Sequence, residues 1–118
     1  MSNVLDTILI RDMISSPTGV ATDFQTDSID ISFKEAESSI QIVYDGGVNV
    51  DMEILLEVSN DNTNFSPITD SSQIITDSTG THFIDIFGTG ANYIRVSFVV
   101  TAGSINLQSC TWKGKRRH

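Results

Sequence analysis

Between residues 48 and 58 the chain reads VNVDMEILLEV, with apolar side chains at every second position: Val48, Val50, Met52, Ile54, Leu56 and Val58. A helix needs apolar residues three and four apart, whereas a strand turns successive side chains to opposite faces. This alternation therefore commits the segment to a β-strand with one buried and one wet face. Asn49, Asp51, Glu53 and Glu57 occupy the wet positions, with Leu55 the one apolar exception. Carboxylates spaced by two keep such a face solvated and unpaired, or offer it to a basic surface.

Shorter stretches repeat the pattern. A strand is expected over residues 5–11, containing Ile8, Leu9 and Ile10, followed by a turn at Ser15-Ser16-Pro17-Thr18-Gly19. Residues 20–26 read as an extended arm or a short edge strand. Ile29, Ile31 and Phe33 alternate in a strand ending near Lys34; residues 35–38 read as a turn or one helical turn; and Ile40, Ile42 and Tyr44 share one face of a strand over residues 39–44. Asp45-Gly46-Gly47 and Ala102-Gly103-Ser104 carry hairpin chemistry, because glycine accepts the positive φ of tight two-residue turns. The first is expected to fold 39–44 back onto 48–58, and the second to fold 92–101 back onto 105–112. An edge segment around Phe65, Pro67 and Ile68, strands over 73–76 and 82–87, and breaks at 59–64, 77–80 and 88–90 complete the pattern.

About eight short strands with a turn signal roughly every ten residues describe an all-β chain, a single antiparallel β-sandwich of jelly-roll or Ig-like type. The chain divides into an arm and first strand (1–27), the sandwich (28–112) and a basic tail (113–118). At 118 residues and 39% hydrophobic content it supports one core. No apolar run approaches the length of a membrane span, and MSNVLDTILIRDM lacks the basic and apolar regions of a signal peptide, so synthesis in the cytoplasm without secretion is expected. Cys110 stands alone and reads as a small apolar filler.

Charge is distributed unevenly. Four of the seven basic residues, Lys113, Lys115, Arg116 and Arg117, lie in the last six positions, leaving −12 on residues 1–112 against +4 on the end. The body should repel nucleic acid, and only the tail can attract it. The tail reads as a docking element for a protein partner, a solvated end or, last, a nucleic-acid contact.

Catalytic chemistry has little material. His82 and His118 are the only histidines, and there is no nucleophile motif, phosphate-cradling glycine loop or zinc spacing. Asn60, Asp61, Asn62 and Asn64 gather oxygens in one loop, as a hard cation prefers, but without the glycine and distal Glu of an EF-hand, and an Asx-rich turn is the favoured reading. No enzyme activity, cofactor or metal is expected.

Two motifs carry a family resemblance. Residues 56–68, Leu-Glu-Val-Ser-Asn-Asp-Asn-Thr-Asn-Phe-Ser-Pro-Ile, and residues 92–98, Asn-Tyr-Ile-Arg-Val-Ser-Phe, resemble the Ser-Asn-Asp-x-x-x-Phe and Tyr-(apolar)-Arg-Val strands of discoidin-like sandwiches, with Asn62 where glycine is usual. With the Gly-containing hairpin and terminal Lys-Gly that follow, the chain is similar to small bacteriophage virion structural proteins with a discoidin-like or jelly-roll β-sandwich. The resemblance implies a non-enzymatic structural protein of a bacteriophage virion, capsid-associated as a decoration, cement or minor capsid protein. Its partners would be capsid or tail subunits or further copies of itself, with no membrane. It would bind through its ends, at Ile8, Ile10, Lys113, Lys115, Arg116 and Arg117. A tail or head–tail component is one alternative. A carbohydrate-binding module using the loop residues Asn60, Asp61, Asn62, Phe65 and Tyr93 is another.

Overall fold

Two long strands organise the computed structural model, which describes residues 6–32, 34–68, 71–87 and 90–117. They are β5 (Lys34–Ser59) and β9 (Tyr93–Arg117), antiparallel along nearly their whole length, from Lys34 opposite Arg116 to Ser59 opposite Tyr93. The N-terminal chain runs along the outer side of β9 as β1 (Asp6–Asp12), β2 (Thr18–Val20), β3 (Phe24–Gln25) and β4 (Ile29–Asp30). Residues 66–87 run along the outer side of β5 as β6 (Ser66–Pro67), β7 (Gln73–Ile75) and β8 (Gly80–Phe87). Every pairing is antiparallel, as expected of an all-β sandwich class.

The expected hairpins at Asp45-Gly46-Gly47 and Ala102-Gly103-Ser104 are bends instead. Residues 39–44 and 48–58 do not pair with each other; both pair with β9. A straight strand of 26 residues would span about 85 Å at ~3.3 Å per residue, yet the longest dimension of the molecule is 55 Å. The bending is concentrated where the β5–β9 register shifts, between Val43 and Met52. There Gly46 (φ 61°), Asn49 (φ 51°) and, across from them, Gly103 (φ 77°) adopt left-handed backbone. Turn chemistry bends a strand as readily as it reverses one. Which of the two happens depends on the partner available, and β9 supplies one long enough for both halves of β5.

The bend divides the sheet into two arms, each four strands wide. One holds β1, the C-terminal half of β9, the N-terminal half of β5 and β8; the other holds β3 and β4, the N-terminal half of β9, the C-terminal half of β5, and β6 with β7. The apolar faces of both arms belong to one core: Ile40, Ile42, Tyr44, Ile84, Leu107 and Trp112 from the first, and Met52, Ile54, Leu56, Ile94, Val96 and Phe98 from the second. Val48 leaves the expected series. It is 59% exposed, because the register shifts on either side of it turn it outward, while Val50 to Leu56 keep their inward alternation.

Other boundaries move for local reasons. Residues 35–38 are not a turn: β5 begins at Lys34, with Ser38 opposite both Ile86 and Gly114. Only Ile29 and Asp30 of the expected second strand pair, although Ile31 is buried as anticipated, and Phe33 lies outside the described residues. Between the short strands side chains take over the ladder. The Asp23 carboxylate accepts the Val100 N–H (2.8 Å), the Thr26 hydroxyl accepts that of Val96 (3.0 Å) and the Ser71 hydroxyl that of Leu56 (3.1 Å).

Cys110 is fully buried with its Sγ 3.8 Å from Met13 Sδ, and burial pushes its thiol up to about 12. Because the thiol is raised in the folded chain, its contribution to stability is complete below the ordinary thiol range and is lost as pH rises towards 12. A maleimide should therefore leave Cys110 unmodified at neutral pH until the protein is unfolded. Rapid labelling of folded protein, read by mass, would contradict this. No helix among the described residues is long and apolar enough to cross a membrane.

Candidate interaction face

In the first arm, residues on the outer face fall into rows. Ile10, Lys113, Ser39 and Asp85 stand in register across β1, β9, β5 and β8, and the next row is Asp12, Thr111, Gln41 and Phe83. At about 4.8 Å between strands the four span roughly 14 Å. Ile8 (58% exposed), Ile10 (63%) and Phe83 (58%) place apolar side chains at the two rims of this face. Polar side chains fill the middle, and Ile8, Lys113, Ser39, Gln41, Phe83 and Asp85 line a groove of about 430 Å³. Three large apolar side chains exposed around one groove are the pattern of a contact surface.

Of the residues expected to bind a partner, Ile8, Ile10 and Lys113 are therefore brought together. Lys115, Arg116 and Arg117 are not a free tail. Their backbone continues β9 and pairs with Ile8, Thr7 and Asp6 of β1. His118 lies outside the described residues. Phe83, Gln41, Ser39 and Asp85 were not among the expected site residues. The signal for Phe83 was present in the alternation of residues 82–87, which sets it opposite the buried Ile84 and Ile86.

The loop candidates sit at the far end of the ladder and are used internally. The Ser59 hydroxyl accepts the Asp61 and Asn62 N–H groups, and the Asp61 carboxylate accepts the N–H groups of Thr63 (2.9 Å) and Asn64 (2.8 Å) and the Asn64 side-chain amide (2.8 Å). The Asn64 backbone and side-chain donors, then Thr63 and Ser59, hold the Asp61 carboxyl well below the usual carboxylate range. Asn62 has φ 61°, which explains why asparagine suffices where glycine is usual, and its Oδ1 accepts the Ser28 hydroxyl (2.6 Å). Asn60 is bonded to Asn92. Arg95 donates to Glu57 (2.8 Å) and lies 3.9 Å over the Phe65 ring, while Tyr93 pairs with Asp30 and Ser59. The two motifs of the resemblance thus form opposite sides of one corner. Both carboxylate oxygens of Asp61 are engaged by the loop's own donors, and among the described residues no cluster of three or more acidic, His or Cys side chains is placed to hold a metal.

A depressed carboxyl contributes stability above the ordinary carboxylate range and loses it as pH falls below that range. Asp61→Ala at neutral pH should accordingly release the Thr63 and Asn64 amides, read as lost protection from hydrogen exchange. The wild-type loop should open only in stronger acid than an ordinary carboxylate requires. Unchanged protection in the variant would mean that the backbone alone holds the loop.

The remaining candidates for chemistry are also tied down. His82 is half-buried, stacked on Tyr44 with ring centroids 5.9 Å apart, and its Nδ1 is 2.8 Å from Gln73 Oε1. Glu53 accepts the Ser72 hydroxyl (2.6 Å), so with Glu57 bound to Arg95 two of the three carboxylates on the wet face of β5 have partners within the chain.

No family model and no curated protein matches the sequence. Among solved structures the chain is similar to the SPBc2 prophage-derived protein YomS, at 12% identity and a TM-score of 0.64, with 98% of each chain covered. It is also similar to the enzymatically active domain of tailspike protein 4 of bacteriophage CBA120 (12% identity, TM-score 0.60), where 93% of this chain covers 18% of the other. A third is chitosan-binding module 1 from a chitosanase/glucanase of Paenibacillus sp. IK-5 (14%, TM-score 0.55), with 94% and 96% covered. At these identities the likeness is one of fold.

Proposed function

We propose that the chain is a non-enzymatic structural subunit of a bacteriophage particle that holds neighbouring virion proteins through the outer face of its first arm. The observation that most supports this is the end-to-end likeness to a prophage-derived protein, each chain covering 98% of the other. Capsid association, as a decoration or minor capsid protein, is the finer assignment, with a tail or connector position as its alternative. A binding role rather than a reaction is supported by how two reactive side chains are used: His82 is engaged by Gln73, and Cys110 is sealed in the core. A body charge of −12 argues against nucleic acid as the partner.

Because residues 113–117 form part of a strand, substitution tests this reading better than truncation. Phe83→Ala should lower binding to purified particles of the encoding phage at least tenfold, as loss of an aromatic anchor does. Lys113→Glu should lower it about fivefold, more at low salt than at high. Unchanged occupancy in both variants would refute the assignment of this face.

A second reading, carbohydrate binding, is favoured by the likeness to a chitosan-binding module and by Phe83, an exposed aromatic beside the hydrogen-bonding groups of Gln41 and Asp85. It moves the glycan site away from the expected loop, since one face of Phe65 is covered by Arg95. Chitosan-oligosaccharide binding that disappears in Phe83→Ala would favour it over the virion reading.

A further inference from the structure

β1 is an edge strand. It pairs with β9 on one side, and among the described residues nothing pairs with the other. The N–H of Met13 donates to the Cys110 carbonyl (2.7 Å), continuing the β1–β9 register by one residue. In an antiparallel ladder, residues alternate between bonding inward and bonding outward. Leu9 and Arg11 therefore bond to β9, while Asp6, Ile8, Ile10 and Asp12 turn their N–H and C=O groups to the open edge. The same alternation gives Ile8 and Ile10 their exposed side chains. An open edge with large apolar residues is a template for another strand.

The sequence of that edge is close to a palindrome. Asp6-Thr7-Ile8-Leu9-Ile10-Arg11-Asp12 reads the same in both directions apart from Thr7 and Arg11. We propose that β1 pairs antiparallel with β1 of a second copy of this chain, about a twofold axis at Leu9, joining the two first arms into one continuous sheet. In this register Ile8 stands opposite Ile10 of the second copy and Ile10 opposite Ile8. Both pairs are of the kind in which each residue exchanges N–H and C=O with the other. The two isoleucines that each copy exposes on β1, four in all, become cross-strand neighbours on one face. Thr7 meets Arg11, so the arginines do not oppose one another. Asp6 meets Asp12 at each end, with Arg117 beside Asp6 in register on β9. An isologous contact of this kind closes at two and leaves no free β1 edge. The inference rests on the docking role given above to Ile8 and Ile10 and names one occupant for the rim they form.

Sedimentation equilibrium of the full chain tests it. A dimer of ~10–100 μM dissociation constant is expected, the range of a small single-strand contact. Added salt should tighten it, because each copy carries −8. Ile10→Pro removes only an outward N–H and should weaken the dimer at least tenfold with little change in melting temperature. Ile74→Lys, an exposed apolar site in the second arm, should leave it unchanged. If Ile10→Pro misfolds, an oxidised mixture of Ile8→Cys and Ile10→Cys chains decides. The mixed disulfide should form faster than either homodimeric one, since positions 8 and 10 face each other across the axis. A monomer at all concentrations up to ~500 μM, a dimer indifferent to Ile10→Pro, or no preference for the mixed disulfide would each overturn the pairing. A monomer that still occupies phage particles would overturn it and leave the virion assignment standing.

Discussion

Gly103→Ala should cost on the order of 4 kcal/mol, while the same change at Gly90 should cost about 1–2 kcal/mol. Both glycines have positive φ, 77° and 73°. The strain of placing an L-residue there is common to both. They differ in what surrounds them: a Cβ on Gly90 meets nothing within 4 Å, whereas a Cβ on Gly103 runs into the carbonyl oxygens of Val48 and Asn49. Those oxygens belong to the bend of β5, so relief requires the two bent strands to separate at the point where the arms join. Urea unfolding followed by circular dichroism measures both variants. Equal losses at the two positions would mean that the bends do not depend on their close approach.

Trp112→Ala should be as damaging, about 3–5 kcal/mol, a fall of roughly 10–20 °C in melting temperature for a domain of this size. Trp112 is the largest fully buried side chain and stands opposite Ile40 in the first arm. Its ring occupies the space a Cβ on Gly114 would need, so the glycine two residues along the same strand is what leaves room for the indole. The indole Nε1 is buried without an acceptor. Trp112→Phe should therefore lose clearly less than Trp112→Ala, because the phenyl ring fills much of the site and removes an N–H with no partner. Ser38, opposite Gly114, has a buried hydroxyl in the same condition, and Ser38→Ala should be near neutral or stabilising. A loss under about 1 kcal/mol in Trp112→Ala, read by thermal unfolding, would show that the ring is not a core element.

The candidate face was partly legible beforehand. Ile8, Ile10 and Lys113 could be named from a short apolar run near one end of the chain and a charge cluster near the other, but nothing in one dimension says that Ile10 and Lys113, 103 positions apart, share a row of side chains. Phe83 was readable only as an alternating strand residue, since its exposure depends on β8 lying at the edge of the arm. The loop at 59–65 misled in the opposite direction. Its oxygens and aromatic ring looked available, and the fold turns them onto one another and onto Arg95.

Period-two alternation was enough to make the chain all-β and to orient most of its strands, Val50 to Leu56 among them, because side-chain direction in a strand is a local consequence of stereochemistry; the outward Val48 and the left-handed Asn49 were beyond it. Whether Gly46-Gly47 and Gly103 reverse their strands or bend them was decided only in three dimensions. Each glycine permits either outcome. The choice fell to long-range pairing: β5 and β9 each offered the other a partner of full length, and bending together kept their ladder continuous across both arms.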